Sequence, residues 1–150
     1  MQISQIMTTE VEGIAPVASA ADARNLMKSR GIRHLVVRQG GRVVGVISQR
    51  DLGGTRGSVP AGTVGELMTT DVVTVAPDAT LRDAANLLRG HRIGCLPVLD
   101  GPSLAGIVTI SDVLDVIGRG EVHLHERGRP YLAKRQGPAK KVRSARVTSR

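Results

Sequence analysis

The chain has 150 residues, 41% of them apolar, and a formal net charge of +8. It holds one cysteine, no Trp, no Phe and a single Tyr, which excludes an intrachain disulfide and an aromatic-rich core. The N-terminus lacks the basic and apolar stretches of a secretory signal, and its longest apolar runs are far too short to span a bilayer, so a reducing cytoplasmic location is expected. The charge is uneven. Residues 127–150 carry nine Lys/Arg and no acid, while residues 1–126 hold 12 basic and 13 acidic groups. Basicity is therefore a property of the tail, and the body is close to neutral.

An internal repeat organises the body. Sliding the chain by 61 residues aligns Met7–Leu52 with Met68–Val113 without a gap, and 17 of the 46 positions are identical. Chance gives roughly four. Met7-Thr8-Thr9 recurs as Met68-Thr69-Thr70, Pro16 as Pro77, Gly45 as Gly106, and Asp51 as Asp112.

Each copy reads as β-α-β-β-α. A short apolar strand (Ile14-Ala15; Val72 to Ala76) runs up to or into an Ala-Pro step. A helix over Ser19–Ser29 or Thr80–Gly90 follows, with Ser19 or Thr80 as N-cap and Asp22 or Asp83 in its first turn. Ala23, Leu26 and Met27 share one helix face, as do Ala84, Leu87 and Leu88. These faces are expected to be exposed and to support a homodimer. Two hairpins come next, His34–Arg38 with Arg42–Ser48 around Gly40-Gly41, and Cys95–Leu99 with Leu104–Thr109 around Asp100-Gly101-Pro102. A last helix is expected from Ser48 and from Thr109.

One such unit buries too little surface to stand alone. The expected fold class is α+β: two tandem units, at 1–57 and 63–120, packed sheet to sheet into one globule. Residues 53–62 form a glycine-rich linker, and 121–150 form a basic, mobile C-terminal tail.

The chemistry concentrates where the third strand of each copy meets a helix start. These stretches are Gly45-Val46-Ile47-Ser48-Gln49-Arg50-Asp51 and Gly106-Ile107-Val108-Thr109-Ile110-Ser111-Asp112. Free backbone N–H groups and the helix dipole favour an anion there. A carboxylate three residues after the hydroxyl suits the two hydroxyls of a ribose. Taken singly, each pair reads first as an N-cap with an acidic first turn, and it is the recurrence at one register that points to a ligand.

At these residues the sequence resembles the CBS (cystathionine β-synthase) domain family, over about residues 5–118. The motifs are MTT-(E/D)-V with a following Ala-Pro, GIRHLVV and RIGCLPVLD, and GVISQRDL and GIVTISDVL. The resemblance is to pair proteins of the stand-alone bacterial type. It implies two clefts between the repeats, a regulatory or sensory role without catalysis, and dimerisation. The implied ligand is adenosine-containing (AMP, ADP, ATP or an S-adenosyl compound) and serves as regulator rather than obligatory cofactor. With no effector domain attached, the signal is expected to pass to a separate effector protein.

The resemblance places Asp51 and Asp112 at ribose hydroxyls and Ser48 and Thr109 at ribose or phosphate. Thr74, Val75 and Ala76, with Cys95, Leu96 and Pro97, line the adenine side of the second site. Arg33, His34 and Arg50 are phosphate candidates. The first copy has Gly13 for Thr74 and Val36 for Pro97, and the second has Gly94 and Cys95 for Arg33 and His34. The two sites are therefore unequal, with base and ribose falling to copy two and phosphate to copy one.

Two features compete with this reading. His123-Leu124-His125, with only Glu121 and Glu126 nearby, falls short of a metal set and reads as exposed polar chain. The tail supports an alternative in which the repeats are a dimerising scaffold with an empty cleft. In that case the tail contacts nucleic acid non-specifically or an acidic partner.

Overall fold

The computed structural model describes residues 1–54 and 56–120. The tail and its two histidines lie outside them. Two hairpins frame the molecule. In the first repeat, β2 (His34–Gln39) and β3 (Arg42–Ser48) are joined by Gly40-Gly41, whose φ values of +57° and +76° give the primed turn that matches strand twist. In the second, β4 (Cys95–Asp100) pairs with β5 (Ser103–Thr109) in the same register, down to a bulge at the same place.

The helices form where the caps predict. Ser19 Oγ accepts from Asp22 N at 3.0 Å to start α1 (Ala20–Arg30), and Thr80 Oγ1 accepts from Asp83 N at 3.1 Å to start α3 (Leu81–His91). A short α2 (Val64–Leu67) starts at Thr63, and α4 (Ile110–Gly118) starts at Thr109. The apolar faces of α1 and α3 are not free for a partner, contrary to expectation. Ala23, Met27, Ala84 and Leu88 are buried in their own repeat's core, and Leu26 and Leu87 are half-buried against it. A helix beside a half-covered sheet turns its apolar stripe inward, because burial against that sheet is the nearest way to leave water.

Two expected elements differ. In the first repeat a short strand, β1 (Gly13–Ile14), runs parallel to β2. Its counterpart at Val72 to Ala76 is reduced to a single bridge between Val75 and Val98. The reason is Pro97. Val36 N donates to Glu12 O in the first repeat, but the residue 61 positions on is a proline with no N–H. The second correction concerns the helix expected from Ser48. The chain makes turns through 49–54, because Gly53 and Gly54 take φ of +88° and +73° where α4 has Leu114 and Asp115.

The two units exchange their leading segments. Ile3 and Ser4 donate to Ala79 O and Pro77 O of the second repeat, and Thr8 exchanges two 3.0 Å bonds with Ile107. Reciprocally, Val64 and Gly65 donate to Ala18 O and Pro16 O of the first repeat, and Thr69 exchanges two bonds with Val46. Fully buried Ile3 belongs to the core around Leu88, Leu96 and Val108, and fully buried Val64 to the core around Met27, Leu35 and Ile47. Each core is thus completed by the other repeat. The opposite faces of the sheets, Val36 and Val46 in one and Cys95 and Pro97 in the other, are also buried. There β3 meets β5, and the sheets pack against one another.

This exchange explains the glycine in each third strand. A Cβ on Gly45 would lie 2.5 Å from Met68 Sδ and 2.9 Å from Thr69 O. A Cβ on Gly106 would lie 2.7 Å from Met7 Sδ and 2.8 Å from Thr8 O. Gly45→Ala should therefore destabilise the fold by about 1–3 kcal/mol, the usual cost of overpacking. In a double-mutant cycle by urea unfolding, Met68→Ala should recover part of that loss. Strict additivity would show that the methionine does not set the constraint.

Candidate functional site

The Ser/Thr–Asp pairs form two matching structures. Ser48 N and Oγ both donate to Asp51 Oδ2, at 2.8 and 3.0 Å, and Asp51 N donates back to Ser48 Oγ at 3.3 Å. Thr109 and Asp112 repeat the three distances. This is the capping reading of the pattern, realised in both copies, and it survives in the first even though only one turn follows. The box uses Asp112 Oδ2 and leaves Oδ1 without a bond among the described residues. A rigid carboxylate held this way keeps one oxygen for a ligand.

Because β3 and β5 approach one another, both boxes lie beside the same space. An open cleft of about 1440 Å³ runs between the repeats. Of the residues expected at a site, it brings together Arg33, His34, Ser48, Arg50, Thr109 and Asp112. Asp51, Thr74, Val75, Ala76, Cys95, Leu96 and Pro97 are not on its walls. Val75 and Leu96 point into the second core, and Cys95 and Pro97 are buried between the sheets. Contacts from Val75 and Leu96 to a ligand would have to come from their backbone, whereas Thr74 and Ala76 are exposed.

Burial governs the titration of the two most enclosed groups. His34 is pushed down to about 4, mainly by desolvation; Asp51 opposes the shift and Arg33 adds to it. It is therefore a neutral imidazole at neutral pH and supplies no charge to an anion. The Cys95 thiol is pushed up to about 12 by burial and then by the Asp51 charge, so it is not a nucleophile. Among the described residues no group of three His, Cys, Asp or Glu is placed to hold a metal ion, and no helix is long and apolar enough to cross a membrane.

The cleft also has walls that sequence reasoning missed. Glu10, Val11 and Glu12 line it, as do Ser111 and Arg56. Glu12 is engaged by Arg30 at 3.4 Å. The 61-residue shift carried no sign of this, since Glu10 and Glu12 correspond to Asp71 and Val73, and Arg56 to Ile117. Only the glycine break after Leu52 hinted that residue 56 would leave the helix.

Two β-hairpin units with exchanged leading segments and a cleft at the paired strand ends define a CBS domain pair. The chain belongs to the CBS domain family, which it matches over residues 3–52 and 64–119. It is 32% identical over 117 residues to the CBS domain-containing protein YhcV of Bacillus subtilis, covering 74% of this chain and 81% of that one. Among solved structures, a putative signal-transduction protein with CBS domains from Burkholderia ambifaria superposes with a TM-score of 0.73 at 28% identity. That match covers 83% of this chain and all of that one. The structure of CBSX2 in complex with AMP superposes with a TM-score of 0.69 at 28% identity, covering 77% and 94% of the two chains. The chain spans about a quarter of other relatives, such as the inosine-5'-monophosphate dehydrogenase of Nitrosopumilus maritimus.

The lowered His34 value makes stability depend on pH. The unfolded chain takes up a proton near pH 6.5 that the folded chain refuses until about pH 4. The stabilisation is whole above pH 6.5 and declines as pH falls towards 4, by up to about 1.4 kcal/mol per unit. Urea midpoints of wild type should drop between pH 7 and 5 by more than those of His34→Gln. Equal drops would remove His34 from the account.

Proposed function

We propose that the chain is a regulatory module that senses an adenosine-containing ligand in the cleft between its repeats and passes the signal to a separate effector protein. The observation that carries this is the cleft itself. It brings the Thr109–Asp112 box of one repeat and Arg33, His34 and Arg50 of the other onto one cleft. In this reading Asp112 Oδ1 accepts from ribose hydroxyls, the start of α4 takes the adjoining phosphate, and the arginines take further negative charge. The first repeat has the same box with Ser48 on the cleft wall, while Asp51, Thr74 and Ala76 lie off that wall and are assigned no direct place in it. The AMP bound to the related CBSX2 structure supports this class of ligand. In this reading the ligand regulates rather than reacts, and no obligatory cofactor is invoked. We place the module in the cytoplasm as a homodimer.

A second reading rests on the nine positive charges of residues 127–150. There the repeats are a scaffold with an empty cleft, and the tail contacts nucleic acid or an acidic partner. Truncation after residue 126 separates the two, since both cores lie within the described residues 1–120. Ligand binding persists in the truncated chain under the first reading, and a salt-sensitive nucleic-acid affinity disappears under the second.

Asp112→Ala should weaken the adenosine ligand by about tenfold to a hundredfold, the worth of hydrogen bonds to a charged group. Asp51→Ala should weaken it less. Loss of the box should also cost about 1 kcal/mol of stability, so titration calorimetry belongs well below the melting temperature. The reverse ranking of the two variants would move the ligand to the first repeat's box.

A further inference from the structure

Three arginines line the cleft. Arg33, at the entry to β2, Arg50, two residues after Ser48, and Arg56, in the glycine-rich loop, are all exposed and all line it. None of the three has a salt-bridge partner among the described residues. The third is there for a reason particular to this chain. Its counterpart Ile117 lies in α4 and packs on the second core, whereas Gly53 and Gly54 break the helix of the first repeat and leave Arg56 at the cleft. The same cleft is lined by Thr109, Ser111 and Asp112 at the start of the nine-residue α4. Of the acidic groups in the cleft, Glu12 is paired with Arg30, which leaves Glu10 and Asp112 as counter-charges to the three arginines.

We infer that the cleft is built for a nucleoside polyphosphate and reads phosphate charge with Arg33, Arg50 and Arg56, so that it discriminates against S-adenosyl sulfonium compounds. This rests on the adenosine reading above and narrows it. Guanidinium forks pair with phosphate oxygens in two-point contacts, and each added phosphate gives them further acceptors. A sulfonium ligand brings a positive charge to the same wall and gains nothing from it. The imidazole of His34 is a hydrogen-bonding group there, and the arginines supply the charge.

The test is titration calorimetry on the full chain, without divalent cations, against adenosine, AMP, ATP and S-adenosylmethionine. ATP should bind at least about tenfold more tightly than AMP, AMP more tightly than adenosine, and S-adenosylmethionine most weakly. The ATP preference should shrink as salt is raised, because exposed charges are screened. In the triple variant Arg33→Gln, Arg50→Gln, Arg56→Gln, ATP and adenosine should bind within about threefold of each other. Equal binding of ATP and adenosine by wild type, or S-adenosylmethionine matching ATP, overturns the polyphosphate assignment while leaving the adenosine reading in place. An ATP preference retained by the folded variant takes phosphate recognition away from these three arginines and overturns the assignment as well. Failure of all four compounds to bind at millimolar concentration overturns the adenosine reading, and this inference with it. Should the variant not fold, the ranking of the four ligands and its salt response in wild type decide.

Discussion

The fold depends on one close contact made twice: a methionine from one repeat lies over a glycine in the third strand of the other. Met68 covers Gly45 and Met7 covers Gly106. The backbone approach that follows lets Thr69 and Thr8 add a rung to the outer strand of the opposite sheet. Without it each sheet would present an open edge and each core would lose a buried aliphatic residue, Val64 or Ile3. The Met-Thr-Thr triplet and the strand glycine are therefore two halves of one interaction, and neither makes sense inside a single repeat.

This interlocking places the candidate site. With the leading segments exchanged, β3 and β5 are drawn together and their ends open on a shared space. The two Ser/Thr–Asp boxes that end those strands are alike to within a tenth of an ångström. Their surroundings are not. Thr109 opens a helix of more than two turns, with free N–H groups and an aligned dipole, while Ser48 opens a single turn that Gly53 and Gly54 interrupt. The helix that was lost is replaced by a loop that carries Arg56 to the cleft. Asymmetry between near-identical halves thus divides the chemistry, with the oriented helix in one repeat and three arginines in the other.

Burial sets which groups take part. His34 and Cys95 are two of the more reactive side-chain types in the body, and both are held in their neutral forms by desolvation, against the Asp51 charge at His34 and with it at Cys95. They shape the space between the sheets. The exposed Arg33, Arg50 and Arg56 line the cleft and supply its positive groups.

The sequence by itself determined the repeat, the hairpins with their turns, the caps at Ser19, Thr80 and Thr109, and the Ser/Thr–Asp pairs. All of these are settled within a few residues of chain. A hydroxyl and a carboxylate three positions apart meet at a helix start whatever lies around them, and the Gly40-Gly41 turn has few alternatives. Tertiary structure decided the rest. It turned the faces of α1 and α3 inward rather than towards a partner. It carried residues 1–8 into the second repeat and 62–69 into the first. It reduced the strand before α3 to one bridge, and it gathered Glu10, Glu12 and Arg56 at a cleft with Asp112. The physical reason is that each of these depends on which distant surface is left uncovered once the local elements exist. Burial is free to choose any such surface, and a pattern read along the chain does not say which surface will be nearest.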